Sequence, residues 1–267
     1  IRFCMSGAAA LSPDVAGFVQ KVGFNCYEGY GLTETSPLVS ANGWMGKGKS
    51  RLNTVGMPAN GVRVEIDKSA WDDPDRPDEG EVVVYGPNIM QGYWKNKPET
   101  DNVFDEDGWF HSGDIGRFDR GYLKITDRLK NMLKTSLGKN IYPTQIESTL
   151  LKSNRIDQIF IIGDKREYLT AIIVPNHEEA LNIFNLSPGF FEKADDILIH
   201  DEMHKWLAEG LKEHGKKLAK FERMKNFVIR SRPFSIETGE MTPKMSVKRK
   251  VVLEKYTDVI DSMYASR

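Results

Sequence analysis

The order of apolar and polar positions along this chain changes character twice. Residues 1 to 5 form an apolar run that reads as a buried strand. Ser12-Pro13 starts a helix with proline in its first turn, and residues 14 to 22 continue it. Phe24 to Tyr27 reads as the next strand and runs into a glycine loop, Gly29-Tyr30-Gly31. Strand, helix, strand and glycine loop is the order in which α/β sheets place ligand sites at strand ends. From Thr54 to Thr126 the period shortens. Val62, Val64 and Ile66 alternate with polar residues, Glu81 to Tyr85 is largely apolar, and Asp119-Arg120-Gly121 turns a hairpin into Tyr122 to Ile125. A small β-subdomain is expected there, interrupted by WDDPDRPDEG, which has two prolines and no period and reads as a surface loop.

Beyond Asp127 helices and strands mix. Pro143 opens a helix reaching about Leu151, and strands are expected near 158 to 163, 168 to 174 and 226 to 230. Met203, Trp206, Leu207, Leu211 and Leu218 follow helical spacing and read as core. This part is expected to be a compact α+β domain. No apolar run approaches the roughly 18 residues needed to span a bilayer, so any membrane contact is expected to be peripheral.

With 267 residues, 40% hydrophobic and 28% charged, the chain has material for two cores. The net charge of −1 gives no general affinity for nucleic acid, and none is expected as a partner. Its distribution is uneven: residues 1 to 126 hold 13 Lys and Arg against 18 Asp and Glu, whereas 127 to 267 hold 24 against 20. A charge break therefore falls near 127. The two cysteines, Cys4 and Cys26, sit in apolar settings and make neither a disulfide framework nor a zinc site, which fits a cytoplasmic protein. His200-Asp201-Glu202-Met203-His204 has its glutamate misplaced for a zinc helix, and both histidines read as helix surface. The first residue is Ile1 and the opening reads as the middle of a fold, so the chain is expected to be part of a longer polypeptide.

The densest chemical signal is Tyr27-Glu28-Gly29-Tyr30-Gly31-Leu32-Thr33-Glu34-Thr35-Ser36-Pro37. Glycines 29 and 31 let backbone amides approach an anion, the hydroxyls can donate to phosphate oxygens, Glu34 can hold the magnesium that neutralises them, and Tyr30 offers a flat face for a base. A polar turn capping a helix is the structural alternative. Three further stretches follow in order: Gly80 to Gly86 with Met90-Gln91-Gly92-Tyr93-Trp94, then Trp109-Phe110-His111-Ser112-Gly113-Asp114, then Thr126-Asp127-Arg128-Leu129-Lys130-Asn131-Met132-Leu133-Lys134. Together these resemble the signature of the adenylate-forming (AMP-binding) superfamily of acyl-CoA synthetases, luciferases and peptide-synthetase adenylation domains. Gly138-Lys139-Asn140-Ile141-Tyr142-Pro143 continues the match, and the spacing through Thr135-Ser136-Leu137 is similar to the long-chain fatty acyl-CoA synthetase branch.

By that resemblance the fold is α/β plus α+β: residues 1–126 end a large nucleotide-binding N-terminal domain, with 54–126 as its β-subdomain, and 127–267 form a mobile C-terminal domain hinged near 128–131. Gly7, Ala8, Glu28, Gly29, Tyr30, Gly31, Thr33, Asp114 and Arg128 are then expected to bind nucleotide, with Asp114 gripping the ribose. Thr33 and Glu34 act in catalysis, Glu34 as the metal ligand, and Lys130 is the pivot. Gly138 and Lys139 line the path of coenzyme A. Lys134 reads equally as a solvated strand edge or as part of the face presented for a second half-reaction.

The family's late catalytic lysine falls, on the long-chain pattern, at Ser246, between Lys244 and Lys248. Either one of these lysines, with Lys248 taken as catalytic, supplies the cation, or the cluster is a basic helix start. The resemblance implies ATP, magnesium and coenzyme A acting on a long-chain fatty acid. An acyl-AMP ligase serving a carrier protein and a non-catalytic nucleotide or acyl-adenylate binder are the alternatives, and without the remainder of the N-terminal domain the chain is expected to be inactive.

Overall fold

The computed structural model describes residues 3–7, 11, 13–43, 50–71, 73–243 and 245–265. Ala8, Ser12 and Lys244, singled out above, lie outside them. The chain divides into two compact units, residues 1–132 and 133–267.

In the first unit, β1 (Cys4–Ser6) crosses through α1 (Pro13–Lys21) to the parallel β2 (Cys26–Gly31), and β3 (Leu38–Ala41) and β4 (Met57–Pro58) extend this sheet antiparallel. Two expectations are corrected here. The opening strand, read as buried, is exposed at Cys4 and Met5 and half-buried at Ser6, with Met5 at 42% and Phe3 before it at 39%. The ladder also runs on through Gly29, Tyr30 and Gly31, which pair with Ala41, Ser40 and Leu38, where a glycine loop was expected. Gly31 is required for a steric reason: a Cβ there would collide with the Pro37 carbonyl, where the chain doubles back into β3.

A second sheet is an antiparallel meander of β5 (Arg63–Asp67), β6 (Gly80–Tyr85), β7 (Phe110–Asp119) and β8 (Tyr122–Arg128), with α2 (Lys97–Val103) between β6 and β7. Arg120 and Gly121 both have positive φ, 51° and 83°, which makes the tight turn from β7 to β8. Alternate residues of these strands, Val82, Val84 and Leu123, join Val39 in a buried cluster. The acidic stretch between β5 and β6 is not all surface. Asp73 and Glu79 are buried, and the Glu79 carboxylate accepts from Arg76 and from the Thr126 hydroxyl, which makes an acid tolerable inside.

The second unit opens with a short ribbon, β9 (Leu133–Lys134) against β10 (Asn140–Ile141), followed by α3 (Pro143–Leu150). Its main sheet uses β11 (Ile156–Ile162), β12 (Leu169–Pro175), β13 (Ile197–Leu198) and β14 (Met224–Arg230), in the order β11, β12, β14, β13. Between them lie α4 (His177–Ile183), α5 (Phe190–Lys193) and α6 (Asp201–His214), and α7 (Arg249–Lys255) and α8 (Thr257–Ala265) end the chain. Period-2 alternation sorts the sheet onto two cores. Ile159, Ile161, Ala171, Ile173, Phe227 and Ile229 pack with Ile146 and Leu150 of α3 and Met203 and Leu207 of α6. Phe160, Ile162, Ile172 and Val174 pack with Val252 of α7 and Ile260 and Met263 of α8. Each of these large side chains contributes about 1.5–3 kcal/mol on burial.

The helix expected from Met203 to Leu218 stops at His214, although Leu218 still packs on the core. The two histidines are not idle surface: His200 caps α6 by accepting the Met203 N–H, and His204 stacks on Phe227. No helix among the described residues is long and apolar enough to cross a membrane.

Arg230, 1% exposed, donates from Nε to Asp196 (3.1 Å) and from an Nη to Glu240 (3.0 Å), and Glu240, 0% exposed, also accepts from Lys255 at 2.9 Å. Tyr256 closes the network by donating to Asp196 at 2.6 Å. Burial pushes the Glu240 and Asp196 carboxyls up, but their donors outweigh it and both end below the usual range. A lowered acid stabilises the fold above its ordinary value and loses that contribution as pH falls through the lowered one. Glu240→Ala is therefore expected to cost about 3–5 kcal/mol near neutral pH, because Arg230 keeps a buried charge with one partner removed. The deficit relative to wild type should shrink on acidification below the ordinary value of 4.5. Urea unfolding at both pH values checks this; an unchanged midpoint would show that the network carries no stability.

Candidate nucleotide site

Asp114 lies on β7 opposite Arg128 on β8, and that pairing brings the two residues side by side. Arg128 Nε donates to Asp114 Oδ1 at 2.8 Å. The other oxygen, Oδ2, accepts the Tyr30 hydroxyl at 2.7 Å, and Tyr30 comes from β2 of the other sheet in the same unit. Its ring packs against the Val39, Val82, Val84 and Leu123 cluster, which aims the hydroxyl. Asp114 is only 3% exposed. Burial drives its carboxyl above the ordinary value, and the bonds from Tyr30 and Arg128 offset only part of that. Burial, followed by the charge on Asp114, drives the Tyr30 hydroxyl far up, so it remains a donor throughout the working pH range.

Beside this cluster Glu28 accepts the Leu11 N–H at 3.3 Å. Burial raises its carboxyl and the Leu11 bond offsets part of the rise. Gly7 lies close to the Gly29 carbonyl, so the segment after β1 runs against β2. The Cβ side of Gly29 faces Met5, Ser40 and Leu38, and that of Gly31 faces Pro37, so both glycines make room for protein atoms on that side.

Thr33, Glu34 and Thr35 form a 3₁₀ turn that ends at Ser36 with φ 52°. The hydroxyls of this turn divide by role. Thr35 is fully buried; its Oγ1 accepts the Leu32 N–H at 2.9 Å and donates to the Pro37 carbonyl at 2.8 Å. Thr33 and Ser36 are exposed. Two residues hold the turn: Asn88, which sequence reasoning missed, donates its side-chain amide to the Thr35 and Leu38 carbonyls, and Met90, which stood in a recognised stretch, donates its N–H to the Glu34 carbonyl. Tyr93 donates its hydroxyl to Glu34 Oε1 at 3.0 Å. Tyr93 stood in a recognised stretch, but nothing in its spacing pointed to Glu34, 59 positions away.

Glu34 belongs to no group of three ligating side chains among the described residues; the one such group is Asp67, Glu81 and His111. A single carboxylate suits magnesium, which keeps most of its water and takes oxygen from substrate phosphates. The donor set fits a metal that arrives with a nucleotide.

Lys130 is exposed in the 3₁₀ turn Leu129–Asn131, just before the boundary between the units. In the second unit Lys134 is exposed on β9, and the turn from β9 to β10 is closed by Thr135, whose Oγ1 accepts the Lys139 N–H. Gly138 has φ 77° with open space where a Cβ would go, so its need is conformational. Lys139 lies over the Phe221 ring at 5.3 Å. Ser246 and Lys248 are exposed on a hairpin closed by the Met241–Val247 bridge and by the Lys248 N–H donating to the Glu240 carbonyl.

A strand–helix–strand piece, an antiparallel meander presenting a buried Asp–Arg–Tyr cluster, and an α+β unit with a ribbon at its start define an adenylate-forming domain. The chain belongs to the AMP-binding enzyme family: residues 1–94 match the AMP-binding enzyme model, and residues 130–267 match the AMP-binding enzyme C-terminal domain. It is 33% identical over 273 residues to the chloroplastic long-chain-fatty-acid–[acyl-carrier-protein] ligase AEE15 of Arabidopsis thaliana, covering 98% of this chain and 35% of that protein. Human long-chain-fatty-acid–CoA ligase 1 is also 33% identical, over 276 residues, with 100% and 38% covered. The A-PCP didomain of carboxylic acid reductase from Segniliparus rugosus, solved in complex with AMP, superposes with a TM-score of 0.78 at 27% identity, covering 98% of this chain and 34% of that one. The chain thus spans little more than a third of the length of these proteins.

The raised Asp114 carboxyl has a measurable sign. The folded state holds that proton more tightly than the unfolded chain, so its contribution is most favourable below the ordinary value of 3.8 and declines as pH rises through the raised one. Urea unfolding of wild type and Asp114→Asn at about pH 4 and about pH 7 should show the Asn variant gaining on wild type toward neutrality. A difference independent of pH would mean that Asp114 pays no burial penalty.

Proposed function

We propose that the full-length protein uses ATP to activate a long-chain fatty acid as its acyl-adenylate and then transfers the acyl group to coenzyme A. The observation that carries this reading is the buried Asp114 carboxylate held between Tyr30 and Arg128, in a chain that aligns over almost its whole length with long-chain fatty acid ligases.

Each oxygen of Asp114 keeps a second lone pair, so the two ribose hydroxyls can donate to it while Tyr30 and Arg128 remain bound. Arg128, with its side chain 43% exposed, has donors left for the nucleotide. The exposed Thr33 hydroxyl donates to phosphate oxygens, and Glu34, steadied by Tyr93, is the carboxylate for the magnesium that screens their charge. The fatty carboxylate oxygen bonds to the α-phosphorus as the bond to pyrophosphate breaks. In the second step the thiol sulfur bonds to the acyl carbon, AMP leaves with the electrons of the C–O bond, and the thiol proton passes to solvent. We assign Lys130 as the pivot between these steps, Gly138 and Lys139 to the coenzyme A path, and Lys134 to the face used in the second step. For the adenylation cation we take Lys248.

A second reading has its own support, since AEE15 is named for an acyl-carrier-protein acceptor. Full-length protein supplied with a long-chain fatty acid, ATP and magnesium, and with either coenzyme A or a phosphopantetheinylated carrier protein, separates the two. Thioester on coenzyme A is expected. Thioester on the carrier alone would establish the second reading, and no pyrophosphate release with either would leave a nucleotide-binding protein.

Lys248→Ala should slow acid-dependent pyrophosphate release about 10²- to 10³-fold, the usual loss for a fixed charge-stabilising donor. Ser246→Lys should then add little. A full-rate Lys248→Ala together with an accelerated Ser246→Lys would move the cation's place to position 246.

A further inference from the structure

Asp114 reaches its place through an irregularity in the sheet. Along the β6–β7 pairing, Glu81 faces Ile115 and Val83 faces His111, so two steps on β6 oppose four on β7. Ser112, Gly113 and Asp114 thus stand against Val82 alone, two residues in surplus, and the segment arches out of the pairing with β6, with Gly113 at φ 69° and open space where its Cβ would be. An arch of this kind loses ladder hydrogen bonds and holds its shape only if other groups replace them. Here the replacements are visible. Ser112 Oγ donates to the Val82 carbonyl at 2.6 Å and accepts the Asp114 N–H at 3.1 Å. The Gly113 N–H donates to Glu81 Oε1 at 2.8 Å, and the second oxygen of Glu81 accepts from His111 Nδ1 at 2.9 Å.

The same residues form the only group of ligating side chains among those described, with Asp67, Glu81 and His111 donor atoms within 4.8 Å of one another. Each carboxylate oxygen already holds one protein donor: the Asp67 oxygens take Ser69, through its N–H at 2.8 Å and its hydroxyl at 2.9 Å, while Glu81 takes Gly113 and His111. The cluster has the hydrogen bonding of a brace.

We propose that Glu81, held by His111, is a positioning residue for nucleotide recognition: its carboxylate clamps the Gly113 N–H, fixes the arch, and thereby sets the Asp114 carboxylate toward the ribose. The inference rests on the ribose role given to Asp114 above. Glu81 itself pairs with Ile115, the residue after Asp114, and acts on the arch. Its loss acts through the geometry of Asp114, so the damage is confined to recognition of the sugar hydroxyls.

The test compares KM for ATP and for 2′,3′-dideoxy-ATP in fatty-acid-dependent pyrophosphate release by full-length wild type, Asp114→Asn, Glu81→Ala and Glu81→Gln. Wild type is expected to prefer ATP, and Asp114→Asn to lose that preference. Glu81→Ala should raise KM for ATP about tenfold and leave KM for the dideoxy nucleotide nearly unchanged, collapsing the preference. Glu81→Gln, which keeps an oxygen for Gly113, should retain most of it. General loosening of the fold would weaken both nucleotides alike. Glu81→Ala with an intact preference beside a defective Asp114→Asn overturns the positioning role alone. Absence of any preference in wild type overturns the ribose reading and this inference with it. If Glu81→Ala does not fold, Glu81→Asp, which draws the carboxylate back by one methylene, carries the same expectation, and an intact preference there is equally fatal.

Discussion

A carboxylate withdrawn from water must find donors, and in the first unit of this chain that requirement falls on Asp114. Its two oxygens are met by one neutral donor, Tyr30, and one cation, Arg128, drawn from two different sheets. The burial is expensive enough that the carboxyl remains raised even with both partners in place. Much of the surrounding architecture follows from it. β7 and β8 must be in the register that sets Asp114 against Arg128, β2 must carry Tyr30 to the meander, and the Val39, Val82, Val84 and Leu123 cluster must hold the tyrosine ring while its hydroxyl reaches the acid. A charge kept in such a place at a cost in stability is the usual signature of a functional site.

The turn around Glu34 shows how similar residues in one short string divide between structure and chemistry. Thr35 spends its hydroxyl on the backbone of its own turn, and Asn88 clamps the carbonyls on either side. That rigidity leaves Thr33 and Ser36 facing outward and Glu34 steadied by Tyr93. Gly31 belongs to the structural half of the string, since its missing side chain lets Pro37 close the turn.

The second unit meets the same physical demand in its interior. Arg230 is enclosed by two carboxylates and stacked against Phe234 and Tyr256, and Glu240 of this network also accepts the Lys248 N–H through its carbonyl. The hairpin that carries Ser246 and Lys248 is thus rooted in a buried ionic network, while its exposed arm holds the lysine.

Local pattern was enough to find most elements. The strands at 156–162, 169–175 and 224–230, the helix from Pro143 and the hairpin at Arg120-Gly121 follow from alternation, proline placement and turn chemistry, which act over a few residues. The motif strings pointed to Tyr30, Glu34, Asp114 and Arg128, because each string is contiguous and its residue types carry the chemistry. Sequence could not show that β1 is exposed, that Glu79 is buried, or that the strand continues through Gly29 to Gly31, since those depend on layers and pairing partners elsewhere in the chain. It could not show that Tyr30 meets Asp114 across 84 positions, or that Glu81 holds Gly113 across 32. Period and spacing describe a residue's own turn or strand; the partners of a buried polar group are set by which strands lie side by side, and only the tertiary structure decides that.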